Sequence, residues 1–239
     1  MITLPPRLEA LAQLVLPGRV VADIGTDHAH IPIYLIQSGK SPQAIATDVH
    51  DGPYKIARDK VQGCGLQDKI DVRKGDGLRP LKAGEAQVAI LAGMGGITIR
   101  DILCQSSPVA ACLEQLLLQP MTAPEEVRRW LAENGWKLDK ECMIKEDEKY
   151  YQIISAAKGS QIWPEHKPSL LWQLGPTLIA KGDVVLIDYI EKLLDLNRTL
   201  LAELGQLDTP KGKARVKELE QQIGELEELR EICRLNASS

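Results

Sequence analysis

Phenylalanine is absent from the 239 residues, and histidine occurs only four times. The apolar bulk therefore comes from Leu, Ile, Val and Ala, and no histidine-rich metal cage is on offer. The five cysteines (Cys64, Cys104, Cys112, Cys142, Cys233) are odd in number, far apart and never in a C-x-x-C pair, which argues against both a disulfide frame and a zinc cage. No window reaches the roughly 18 consecutive apolar residues of a membrane helix. The opening "MITLPPR" lacks the basic-then-apolar layout of a secretory signal, so a cytoplasmic location without a membrane partner is expected. Basic excess is missing too: the net charge is −4, with 19 Lys+Arg against 20 Asp+Glu in residues 1–160 and 10 against 13 in 161–239. Contact with nucleic acid must then rest on local clusters of cations, not on bulk attraction.

What is present is an alternation of strand-like and helix-like apolar runs. Arg7–Leu16 is an amphipathic helix stopped by Pro17 and Gly18; Val20–Gly25, Gln43–Val49, Lys69–Gly75, Val88–Met94 and Leu113–Met121 read as strands. Helices are expected over Ile31–Ser38, Gly52–Gln62, Ile97–Gln105 and Pro124–Asn134. Lys137–Lys145 and Tyr150–Ala157, joined by the charged "EDEK", suit a terminal antiparallel hairpin. The expectation is an α/β, Rossmann-like domain over 1–160 with a seven-stranded, mostly parallel, doubly wound sheet. Gly159–Ser169 is rich in breakers and reads as a linker. Beyond it, Leu186, Ile190, Leu193, Leu200 and Leu204, then Val216, Leu219, Ile223, Leu226 and Leu229, recur at helical spacing around the breaker stretch Gly205–Gly212. That predicts a small all-helical domain over 161–239, a coiled-coil-like helical hairpin.

In an open parallel sheet, ligands sit beyond the carboxyl ends of the strands near the point where strand order reverses. "VVADIGTDHAHIPIYL" places Asp23, Gly25, Asp27 and His28 there. A dinucleotide would want G-x-G-x-x-G, so that backbone amides close on a pyrophosphate; this turn has one glycine and two acids. A cationic, phosphate-free carrier fits better, and S-adenosylmethionine is the expected cofactor, with Asp23 facing its ammonium and Gly25 admitting its amino-acid part. Asp48 ends strand two, where a carboxylate would take ribose hydroxyls. "KGDGL" adds Asp76 for the adenine amino group, with Gly75 and Gly77 allowing the bend. Thr26, Val49 and Ala92 are counted to the same site. "LAGMGGITI" ends strand four, and Gly93, Gly95 and Gly96 would leave an open slot for a flat group. The Asn/Asp-Pro-Pro-aromatic clamp for exocyclic amines is missing there, which favours a ring nitrogen such as adenine N1. Methylating N1 creates a cationic base that Asp27 would stabilise.

"DIGTDHAHIPIYL", "IATDV", "GDGL" and "LAGMGG", in this order and spacing, resemble the bacterial TrmK family, tRNA (adenine-N1)-methyltransferases acting at tRNA position 22. The resemblance covers essentially the whole chain and implies a class I methyltransferase domain with a small helical C-terminal domain. It implies that Asp23, Gly25, Asp27, His28, Asp48, Asp76, Gly93 and Met94 line the donor and target sites, and of these Asp27, His28 and Met94 are read as catalytic. His30 stands where an aromatic or apolar residue is expected, and Asp48 where Glu is commoner.

Other readings stay open at this stage. Asp27 is also a good N-cap for the following helix. The glycines would equally serve a tight turn, and Met94 would equally serve packing. His28 and His30 read as turn residues, not metal ligands, and no metal is expected. Tyr34, Tyr54 and Met94 are each candidates to hold an extruded adenine. For tRNA contact, Lys55, Arg58 and Lys60 follow strand two, Arg73, Lys74, Arg79 and Lys82 flank strand three, and Lys211, Lys213 and Arg215 crowd the tip of the helical hairpin. Gly95 and Gly96 are counted with Lys55, Arg58, Lys211, Lys213 and Arg215 as substrate-contacting, and no obligate protein partner is indicated. The competing functions are a class I methyltransferase of another substrate and a non-catalytic binding module.

Overall fold

The computed structural model describes residues 1–162, 169–204 and 209–238. Two compact units result, Met1–Trp163 and Pro164–Ser239. In the first, α1 (Pro6–Leu14) precedes β1 (Val21–Ile24), α2 (His30–Gln37), β2 (Ala44–Asp48), α3 (Asp51–Gly63) and β3 (Ile70–Lys74). Then come β4 (Val88–Gly95), α4 (Gly96–Gln105), α5 (Ser107–Ala111), β5 (Gln115–Thr122), α6 (Pro124–Glu133), β6 (Trp136–Glu146) and β7 (Lys149–Lys158). The sheet order is β3-β2-β1-β4-β5-β7-β6. The first five strands are mutually parallel, and β7 enters antiparallel between β5 and β6. Order reverses between β1 and β4, so the crevice of an open sheet falls at their carboxyl ends.

Burial follows the two-faced pattern of a covered sheet. Ala22, Ile24, Ala89 and Leu91 point to one side, among Ile99 and Leu103 of α4 and Val127 and Leu131 of α6. Val21, Val88 and Ile90 point to the other, beneath Leu11 of α1 and Leu35 of α2, while α3 brings Ala57 and Val61 against Ala44 and Ala46. The β6–β7 turn is tighter than the charged tetrad suggested. Glu146 pairs with Lys149 across the hairpin, and Asp147 takes a left-handed φ of 53°.

The second unit is more than a hairpin. Before α9 (Val184–Leu204) and α10 (Pro210–Ala237) lie two short helices, α7 (Ser169–Leu174) and α8 (Pro176–Lys181), so Ser169 belongs to a helix, not to the linker. Asp183 caps α9, accepting from the amides of Val185 and Leu186 at 3.0 Å each. The far end of α10 closes on α8: Asn236 donates to the Ile179 carbonyl at 2.9 Å, and a side chain at Gly182 would collide with the backbone of Ala237. Leu186, Ile190, Leu194, Leu219, Leu226 and Leu229 form the buried seam; Leu194 takes the place expected of Leu193. The expected breaker stretch ends earlier than Gly212, because Thr209 caps α10 by accepting from Gly212 N–H at 3.1 Å and Pro210 is the first helical residue. Residues 163–168 of the expected linker and 205–208 of that breaker stretch lie outside the described residues. Among the described residues, no helix is long and apolar enough to cross a membrane.

Candidate active site

The β1 tip is built by its own turn and by β2. Gly25 turns with φ 73°, and the amides of Gly25 and Thr26 both donate to the Thr47 carbonyl, at 2.8 and 2.9 Å. Asp23 is buried, and its Oδ2 accepts from the Thr26 hydroxyl at 2.6 Å. Burial pushes its carboxyl up to about 6; the Thr26 bond opposes this and the negative charge of Asp48 adds to it. Asp27 is exposed and left-handed at φ 47°, with its Oδ2 3.4 Å from His28 Nε2. It caps nothing: the residue before α2 is Ala29, and no side chain bonds there, so the N-cap alternative falls away. His28 and His30 stand with ring centroids 5.3 Å apart, and Lys60 of α3 meets His30 Nε2. Burial and then the Lys60 charge hold His30 below the ordinary imidazole range.

A cavity of about 390 Å³ opens beside this turn, lined by Asp23, Gly25, Thr26, Asp27, His28 and His30 from the β1 side, by Ala92 and Gly93 from β4, and by Arg7 and Leu8 of α1 with Pro5 just before it. Seven of the residues expected at the site are therefore brought together: Asp23, Gly25, Thr26, Asp27, His28, Ala92 and Gly93. The next two strand tips continue the row outside this cavity. Asp48 is buried and accepts from His50 N–H at 2.8 Å; Val49 beside it is an apolar side chain left 47% exposed, as a surface for a flat ring requires. The Gly75 amide donates to the Asp48 carbonyl at 2.9 Å. Asp76 is exposed, 3.3 Å from Arg79, and Gly77 turns with φ 55°.

Beyond β4 the glycines divide. Gly93 is left-handed, at φ 78°, and exposed, within an irregular stretch where Ala92 faces Gln119 but Met94 faces Pro120. Met94 is half-buried, with its methyl where a Cβ at Gly25 would stand, and the left-handed φ of Gly25 disfavours a side chain there in any case. Gly96 corrects the expectation of an open slot: it is buried, and a Cβ there would strike the Ala123 carbonyl. Its backbone is packing material between α4 and the start of α6, while Gly95 lies against the Thr122 hydroxyl.

The expected cations differ in availability. Lys55 and Arg58 are exposed on α3, and Arg58 lies 3.0 Å from Asp59. Lys74 pairs with Asp51 at 2.7 Å, and Arg73 is held by Glu85 at 2.6 Å, so the strand-three cluster is largely committed internally. In the second unit, Lys211, Lys213 and Arg215 are exposed on the first turns of α10, not in a loop. Among the described residues, no group of three or more His, Cys, Asp or Glu could hold a metal.

Two residues of this site escaped the sequence reading. Arg7, read only as the start of an amphipathic helix, lines the cavity. Its Nη1 donates to Oε1 of Gln119 at 2.7 Å, and its guanidinium lies 5.0 Å from the Tyr151 ring centroid. Gln119, fully buried on β5, also accepts from Gly93 N–H at 3.2 Å. The only hint was a polar residue inside the apolar run "LLLQP".

The chain is similar to known methyltransferases. The family described as "Methyltransferase domain" matches residues 4–154. The curated "tRNA (adenine(22)-N(1))-methyltransferase" of Bacillus subtilis (strain 168) is 34% identical over 95% of this chain and 96% of its own length. A crystal structure of the B. subtilis m1A22 tRNA methyltransferase TrmK superposes with TM-score 0.86 at 32% identity, over 96% of this chain and 100% of that one. M. capricolum TrmK, solved with the cofactor product S-adenosyl-homocysteine, gives TM-score 0.83 at 25% identity, over 98% and 100%.

Proposed function

Since the chain belongs to the tRNA (adenine(22)-N1)-methyltransferase family, we propose that it transfers a methyl group from S-adenosylmethionine to N1 of adenine 22 in the D-arm region of tRNA. The observation that carries the reading is the row of acids at three neighbouring strand tips, Asp23, Asp48 and Asp76, beside a cavity edged by two left-handed glycines. That cavity suits the donor's amino-acid end. Buried Asp23 offers a carboxylate to an ammonium, and Gly25 and Gly93 present backbone without side chains. Asp48 would take ribose hydroxyls, with the exposed face of Val49 and the Asp76 carboxylate set for an adenine. Thr26, Ala92, Gly75 and Gly77 shape these contacts.

Bound S-adenosylmethionine supplies an electrophilic methyl on a sulfonium. The chain's own contribution is mostly positioning and charge. Adenine N1 has an in-plane lone pair and needs no base to expose it, but its methylation leaves a cation on the ring. Asp27, at the cavity mouth with His28 beside it, offsets that charge before a proton leaves the amino group. Met94 and Gly95 border the position of the base. Because N1 is paired in a duplex, the adenine must be turned out of its stack. Lys55 and Arg58 on the first unit, and Lys211, Lys213 and Arg215 on the second, would meet tRNA phosphates.

Mass spectrometry of nucleosides from tRNA incubated with the donor tests this directly. Wild type should produce N1-methyladenosine, and Asp27→Ala should slow its formation about tenfold to hundredfold, toward the low end for electrostatic stabilisers because Asp27 is exposed. Full yield from the variant would discard the role given to Asp27. No product from wild type would discard the reaction.

A further inference from the structure

Lys60, in the last turn of α3, reaches across to the first residue of α2, and its Nζ meets Nε2 of His30. An ammonium can only donate, so His30 Nε2 is the acceptor and the ring proton stands on Nδ1. His30 therefore holds the cation as a neutral group. Burial, then the charges of Lys60 and His28, keep it below the ordinary imidazole range against the pull of Asp27. Among the described residues no carboxylate stands within ion-pair distance of Lys60. Nearby cations are committed, Arg58 to Asp59 at 3.0 Å and Lys74 to Asp51 at 2.7 Å. The last turn of a helix suits a cation; that accounts for the charge at Lys60 but not for its direction, toward a residue lining the 390 Å³ cavity.

Contact by contact, the row continues to the cavity mouth. His30 and His28 stand with ring centroids 5.3 Å apart, and His28 Nε2 lies 3.4 Å from Asp27 Oδ2. Two imidazoles thus connect the ammonium to the carboxylate, and neither charge cancels the other in a direct pair. A nucleotide methylated at adenine N1 has use for both, because its ring turns positive while its phosphate stays negative. Asp27 serves the ring in the reaction proposed above, which leaves the phosphate to Lys60. One turn before Lys60, on the same face of α3, Ile56 is an apolar side chain 45% exposed, a surface for the sugar or base next to a phosphate.

We propose that Lys60 binds a backbone phosphate flanking the target adenine, and that His30 is its positioning residue. The assignment rests on the tRNA reading above and goes beyond it by naming the contact that fixes the chain beside the reacting base. His30 occupies one of the three N–H groups of Lys60, which leaves two for phosphate oxygens. A carboxylate in place of His30 would hold the lysine equally well but would neutralise it; an imidazole holds without neutralising.

Steady-state kinetics with tRNA separate a phosphate contact from a mere tie between helices. Lys60→Gln keeps an N–H for His30 and removes only the charge. It should lower kcat/KM for tRNA about tenfold and make the slope of its logarithm against log salt shallower by about one. S-adenosylhomocysteine affinity, read by calorimetry, should stay within about twofold of wild type. A second arm uses tRNA in which the phosphate on the 5′ or the 3′ side of adenine 22 is replaced by a neutral methylphosphonate. One of the two should cost wild type about tenfold but Lys60→Gln less than about twofold, because the variant has already lost that contact. His30→Gln, which can still accept from Lys60, should retain more kcat/KM than His30→Phe, and equal losses would remove the positioning role. Full kcat/KM in Lys60→Gln, or equal costs of the neutral linkage in wild type and variant, would overturn the assignment. So would a matching loss of S-adenosylhomocysteine affinity, which marks a structural tie. If Lys60→Gln does not fold, the neutral linkages still decide with wild type alone, since no cost from either one would overturn the contact. Wild type that forms no N1-methyladenosine in unmodified tRNA would strike the reaction itself.

Discussion

Asp23 carries opposite demands at the scale of one side chain. Folding buries it, and its carboxyl titrates at about 6 instead of the ordinary 3.8. The folded state thus holds this proton more tightly than the unfolded chain does. The resulting stabilisation is complete below pH 3.8 and is lost as pH rises through about 6. Above that, the ionised carboxylate stands at a disadvantage of about 3 kcal/mol. Asn is isosteric, still accepts from the Thr26 hydroxyl and has no charge to bury. Ligand-free Asp23→Asn should therefore be more stable than wild type at pH 7.5, by on the order of 1–3 kcal/mol, and nearly equal at pH 4.5, as read from urea midpoints. It should also lose affinity for S-adenosylhomocysteine, whose ammonium then has no counter-charge. The same titration predicts that wild type binds this ligand progressively more weakly as pH falls through about 6, since a proton competes with the ammonium. A variant no more stable than wild type at pH 7.5, or binding that is flat across that range, would contradict the buried charge as the cause.

Among elements, the junction of β4 and α4 is the most constrained. Gly96 sits where a side chain would meet the Ala123 carbonyl, and backbone cannot move aside as a flexible side chain can. Gly96→Ala should destabilise by about 1–3 kcal/mol through overpacking, seen as a lower urea midpoint with an unchanged slope. Gly95→Ala, which would meet only side-chain hydroxyls, should be milder, and equal effects would show that the close approach is not what limits this turn. The junction also shows what a sequence discloses. "LAGMGG" marks a strand end and a turn because glycines punctuate locally, but which glycine is open and which is buried depends on β5 and α6, more than twenty residues away. Asp23 and Asp48 were legible because each stands at the end of an apolar run, and Asp76 because glycines flank it just after a strand-like run. Arg7 and Gln119 were not: their bond spans 112 residues, and a lone Gln in a strand or Arg in a helix has no local signature. The helices α5, α7 and α8 were missed for another reason. With five or six residues each, they are shorter than two turns, too brief for a 3.6-residue period to register.

At the scale of the molecule, two units each bury a core of their own, so loss of substrate contact in one need not disturb ligand binding in the other. Lys211, Lys213 and Arg215 give the means to test this. They lie at the amino end of α10, where the helix dipole already places positive partial charge and cations are mildly unfavourable. Arg215 lies 2.6 Å from Glu218. The proposed tRNA contact would give these cations phosphate partners. Replacing all three with Ala should leave the melting temperature unchanged or slightly raised and S-adenosylhomocysteine affinity intact. Affinity for tRNA should fall, and the slope of log K against log salt should become shallower by about two to three, roughly one released counterion per lost contact. An unchanged slope would return these residues to the solvent and leave tRNA recognition to the first unit, with Lys55 and Arg58 as the next pair to replace.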